Sequence, residues 1–237
     1  MKARGTYFIL FFLLLKYNCI GQTKINDTLF FVRNINEDFS HFIFIDTNKQ
    51  STFYKMVADF NFDQFDVDTY KSSLAYLSAN KLVPKKHSIS NFPREWVQLV
   101  SFKKVIYVYK PNDFYYHLKI KLIDSVFIYW GGEGPEANYM QQFQKLDRVT
   151  NEFKLRSNWP YKSIVTIKIL DQEKGIAVFR FQQFDQLGNL GNVYYQLMGD
   201  VSKMQQIPLL VNDSDRAKQY EVDVDNIDYS KYFKVKK

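Results

Sequence analysis

One cysteine, three histidines, nine glycines and six prolines are small numbers for a chain of 237 residues. The lone thiol, Cys19, lies near the N-terminus, so the remainder can build no disulfide framework and offers no cysteine nucleophile. His41, His87 and His117 are far apart and match no zinc-ligand spacing. A Gly-x-Ser-x-Gly elbow and a phosphate-binding loop are both missing, and no catalytic residue, metal site or cofactor is assigned. Lysines pair at Lys85–Lys86, Lys103–Lys104 and Lys236–Lys237 without forming a basic stripe, which argues against a nucleic-acid partner. The apolar run Tyr7–Leu15 falls well short of the roughly 20 residues that cross a bilayer as a helix, so no permanent membrane span is expected.

That short run is informative in another way. Lys2 and Arg4 precede it, and a segment ending in Gly21 follows, which is the arrangement of a secretory signal peptide. Cleavage after Gly21 puts Gly21 and Cys19 at the two positions that demand small side chains. Residues 1–21 then leave, and residues 22–237 form one exported domain, periplasmic or extracellular. A rival reading anchors the protein by acylating Cys19, as in bacterial lipoproteins. The residues ahead of such a cysteine should be small and apolar, and Lys16, Tyr17 and Asn18 are not. Export removes Lys2, Arg4 and Lys16, so the net charge falls from +7 to +4. The domain left behind is long enough for one self-sufficient core and carries no repeat or Pro/Gly/Ser linker.

Aromatics are what the chain has in abundance, with 22 Phe and 17 Tyr. Together with few glycines and prolines they favour sheet, where flat and branched side chains fit a pleated surface. The expected fold is mainly β within the α+β class: an antiparallel meander, partly closed into a barrel, with two flanking helices. Over Tyr115–Leu122, Tyr116, Leu118, Ile120 and Leu122 fall on one face, and Tyr115, His117, Lys119 and Lys121 on the other, which should meet water. Val105–Tyr109, this segment and Ser125–Trp130 read as three meander strands. Ile164–Leu170 and Ile176–Phe184 read as a hairpin closed at Gly175, and Val193–Met198 as a further strand. Weaker strand patterns cover Leu29–Val32, Phe42–Ile45, Thr52–Val57, Val97–Phe102, Phe153–Arg156 and Leu209–Val211. One helix is expected from a cap at Asp66 to about Asn80. A second is expected to start at Gly134-Pro135-Glu136 and to carry Tyr139, Phe143, Leu146 and Val149 as its apolar stripe. The Gly-x-Trp that lipocalin-like barrels carry on their first strand is absent, so the barrel is an expectation from geometry alone.

The stretch Tyr129-Trp130-Gly131-Gly132-Glu133-Gly134-Pro135-Glu136 concentrates glycines, an indole and two carboxylates. Trp130 could stack on a ligand, and Glu133 and Glu136 could accept its hydrogen bonds. Two acidic stretches, Asp59–Asp68 and Glu221–Asp228, alternate oxygen ligands as calcium loops do. They lack the glycine at position 6, and Tyr70 and Tyr232 stand where a bidentate glutamate belongs. Three functional readings follow. The first is a non-catalytic module binding a small molecule, a glycan or an envelope protein. The second is a glycan-directed hydrolase using Glu133 or Glu136, and the third a structural component of a cell-envelope assembly.

Overall fold

The computed structural model describes residues 23–25, 28–36, 39–89, 92–112, 117–157, 162–214 and 222–233. The expected signal segment, Cys19 included, lies outside them. Thirteen strands dominate: β1 (Thr23–Ile25), β2 (Thr28–Asn36), β3 (Phe39–Asp46), β4 (Glu95–Phe102), β5 (Val105–Lys110), β6 (Lys119–Ile123), β7 (Val126–Gly131), β8 (Gly134–Lys145), β9 (Thr150–Arg156), β10 (Lys162–Asp171), β11 (Ile176–Phe184), β12 (Leu190–Asp200) and β13 (Leu209–Ser214). Among the described residues the α-helices are α1 (Thr52–Ala58) and α2 (Gln64–Ala79). None of the described helices is long and apolar enough to cross a membrane.

Eight strands close into an antiparallel barrel in the order β4-β12-β11-β10-β9-β8-β7-β6, with β6 returning to β4. The closing seam pairs Glu95 with Lys121, Trp96 with Ile120 and Val97 with Lys119, and Lys121 reaches Glu95 across it at 2.9 Å. β4 belongs to two sheets. Trp96–Gln98 pair with β12 inside the barrel, whereas Leu99–Phe102 run on to pair with β5. From there a second sheet continues through β13, β3, β2 and β1, and its β13–β5 contact is the parallel one. Closing the barrel satisfies backbone groups that would otherwise line an exposed edge.

α2 covers the outer surface of β7 and β8, with Leu77 fully buried against Val126, Ile128, Ala137 and Tyr139. Its cap is Asp63, which accepts from the Asp66 amide at 2.8 Å while Asp66 accepts from the Asp63 amide. Asp66, expected to be the cap, is therefore the reciprocal partner three residues on. α1 and the face of the second sheet bury Tyr54, Val57, Leu99, Val108, Leu209 and Val211 between them and the barrel wall.

Four expectations are corrected. The helix expected from Gly134 is strand β8. Gly134 sits at φ +91° and closes a tight β7–β8 turn, and Pro135 pairs with Trp130 as the strand leaves it. A bulge between Met140 and Gln142 shifts the alternation, so Tyr139 points outward beneath α2 while Phe143 points into the barrel. Thr52–Val57 is helical because Ser51 caps it and Tyr54 and Val57 share a buried face. β5 and β6 are not meander neighbours, since β5 pairs with β4 and β13 and β6 with β4 and β7. Finally, the face expected to meet water is covered at His117, 2% exposed, and Lys119, 9% exposed, whereas Lys121 stays partly exposed.

Gly175 matches its expected role. Its φ is +68°, and a Cβ there would lie 2.7 Å from that of Asp200, so both conformation and space require glycine.

Candidate functional site

Alternation along the barrel strands sends Trp96, Phe127, Met140, Phe153, Ile167 and Phe179 inward, each at most 1% exposed. Trp96 meets Phe179 edge-on at 5.1 Å, and Phe127 meets Phe153 at 5.8 Å. This packed waist divides the interior into two ends.

At the end bearing the β7–β8 turn is a cavity of about 160 Å³. Tyr129, Glu136, Asn138, Phe181, Gln183 and Tyr194 contribute to its lining. Tyr194 stacks on Phe181 at 4.8 Å, and Tyr129 meets the same ring edge-on at 6.2 Å. The Tyr129 and Tyr194 hydroxyls are hydrogen-bonded to each other, and Tyr194 also to Gln183. Burial pushes both phenols above their ordinary range, and the nearby Glu136 adds to the effect on Tyr129. Both therefore stay protonated and act as neutral donors. The space suits a few waters, being well below the roughly 300 Å³ at which ligand pockets begin.

The structure does not bring Trp130, Glu133 and Glu136 together. Glu136 faces the cavity opposite Tyr129. Glu133 is exposed in the turn. Trp130 points to the outside of the barrel and is covered, 7% exposed, with Phe60 and Phe62 edge-on at 6.0 and 4.9 Å. The Lys119 ammonium stands 3.8 Å over its ring and donates to the Asp59 carbonyl at 2.7 Å. Burial holds Lys119 below its ordinary range, opposed by the carboxylates of Asp59 and Asp66. Among the described residues Glu136 is the one carboxylate lining the cavity, so they do not assemble the acid–base pair of a glycosidase there.

The calcium-like stretches are turn and strap elements. Asp59 accepts from the Asn61 amide at 2.9 Å. Asp225 accepts from the Ser101 hydroxyl at 2.6 Å and the Lys104 amide at 2.7 Å, fastening the C-terminal segment to the β4–β5 turn. These bonds hold its carboxyl below the usual range. Glu221 lies outside the described residues, and among those described no three His, Cys, Asp or Glu converge as metal ligands.

The opposite end opens into a bowl of about 740 Å³. Its floor is Phe92, Phe143 and Ile169, partly exposed and packed on the buried core, with Trp96 beneath. Lys145, Arg148, Lys203 and Asp200 are the charged residues of its lining. The β8–β9 turn positions the first two: Asp147 accepts from the amides of Val149 and Thr150, both at 2.8 Å, and these bonds hold its carboxyl low. Lys203 donates to the Gln172 carbonyl. Asp200, 5% exposed, caps the 3-10 turn Val201–Gln206 through the Ser202 amide and hydroxyl at 2.9 and 2.8 Å. Sequence reading passes over these cations because they stand in separate turns more than fifty positions apart, and only barrel closure collects them. No protein-family model, characterised protein or solved structure matches the chain.

Proposed function

We propose that this is an exported, non-catalytic ligand-binding barrel whose ligand sits in the bowl at the Phe92–Phe143–Ile169 end. The observation that carries this reading is the bowl itself: about 740 Å³ falls within the roughly 300–1,000 Å³ of small-molecule sites, and an apolar floor lies beneath a polar rim. The packed waist gives it a rigid base, and a site resting on a rigid scaffold loses little freedom on binding. The hydrolase reading draws less support, because Trp130 is covered and Glu133 and Glu136 lie apart. An envelope-assembly role is the reading that remains if no small molecule binds.

Titration of the domain spanning residues 22–237 with the neutral dye N-phenyl-1-naphthylamine is expected to give saturable fluorescence enhancement at one dye per chain. Phe143→Asp, with Val149→Asp as the milder alternative, should weaken the dye about tenfold or more by placing a charge on the apolar floor. The melting temperature of each variant reports whether it folds. Glu136→Gln should leave binding unchanged. Absence of saturable binding, or loss through Glu136→Gln rather than through the bowl variants, would overturn the proposal.

A further inference from the structure

We infer that the bowl's occupant is a single-chain amphiphile with an anionic head group, of which a medium- or long-chain carboxylate is the simplest. This deepens the ligand-binding reading and rests on it. Three of the four charged side chains in the lining are cations: Lys145, Arg148 and Lys203. Three carboxylates at this end serve the backbone, and Glu173 stands exposed in the β10–β11 turn without being part of the lining. Asp200 caps the 3-10 turn, Asp147 the β8–β9 turn, and Asp171 accepts from the Lys174 amide at 2.9 Å in the β10–β11 turn. The ion pairs among the described residues are Arg94–Asp124, Lys110–Asp213 and Lys121–Glu95, and none uses a bowl cation. Lys86 lines an adjoining depression that shares Ser88 and Ile89 with the bowl, extending the positive rim.

The apolar half of the ligand follows from the floor. Phe92, Phe143 and Ile169 offer continuous apolar surface below the cations. Trp96 and Phe179, both fully buried, close the way deeper, so a tail lies along the floor and does not thread the barrel. Among the described residues lining the far cavity, Glu136 is the charged one, so that end offers no cluster of cations. The packed waist thus separates the cation-lined bowl from a cavity lined by Glu136. Because Lys145 and Arg148 are exposed, their attraction is screened by salt; it selects the head group while the floor holds the tail.

Decanoate, decyltrimethylammonium, decanol and inorganic phosphate should be compared as competitors of the bound naphthylamine dye. Decanoate is expected to displace it about tenfold more effectively than decanol, with decyltrimethylammonium weakest and phosphate inactive. The double substitution Lys145→Glu/Arg148→Glu should abolish the preference for decanoate without changing decanol, and about 0.5 M salt should shrink it. Equal displacement by decanol and decanoate, or displacement by phosphate alone, would overturn this inference while leaving a binding site in place. A dye that never binds removes the ligand-binding reading as well.

Discussion

Between pH 6.5 and pH 4 the domain is expected to lose about 3 kcal/mol of folding free energy, and His117→Gln is expected to remove most of that loss. His117 is buried, and burial first, then the Lys119 charge, pulls its imidazole down from 6.5 to about 3. The unfolded chain takes up a proton as the pH falls through 6.5, whereas the folded chain refuses it until near 3. Throughout that window the unfolded state binds more protons, so acid favours unfolding; above 6.5 the imidazole is neutral in both states and costs nothing. Carboxylates held low by hydrogen bonds, such as Asp147 and Asp225, lose their contribution only as the pH falls below the ordinary carboxylate range. They do not obscure the effect. Urea unfolding at pH 7, 5.5 and 4.5 on both proteins gives the two slopes. Equal slopes would mean that His117 is not sealed in the barrel wall.

Phe179→Ala is expected to destabilise the domain by about 3–5 kcal/mol, lowering the melting temperature by roughly 10 °C. Phe179 is fully buried at the waist, 5.1 Å from Trp96 and 6.2 Å from Phe181. Its removal deletes apolar contacts from both halves of the barrel, and the hydrogen-bonded wall cannot collapse to fill the gap. Phe65, which is 61% exposed on α2, serves as the control, and Phe65→Ala should cost less than about 1 kcal/mol. Similar losses at the two positions would contradict a packed waist.

The strands were legible wherever period-two alternation met a turn residue, as at Ile164–Phe184 with Gly175 between. They were illegible where backbone geometry broke the period. β8 carries a bulge, so Tyr139 and Phe143, four apart like neighbours on one helix face, face opposite sides of the strand. The second sheet was invisible for another reason: β4 changes partners midway, and β13 reaches β5 from a hundred residues away. Local patterns carry no record of such pairings. His117 and Lys119 looked solvated because the cover over that face comes from distant chain, the Asp59–Phe60 segment over Lys119 included. Of the sequence candidates, only Glu136 enters the barrel. Trp130 is an anchor between the barrel and the segment leading into α2. Lys145, Arg148 and Lys203 belong to no motif, since their shared position is a product of closure.

The central claim is that a closed barrel with a filled waist presents one occupied end. Decanoate titrated into 15N-labelled domain, followed by amide chemical shifts, tests it most directly. Saturable shifts confined to the neighbourhood of Phe92, Phe143, Arg148, Ile169, Gly175 and Lys203, with Gly131, Glu133 and Glu136 unmoved, are the predicted result. Shifts centred on the β7–β8 turn or on the second sheet, or no shifts at all, would contradict it.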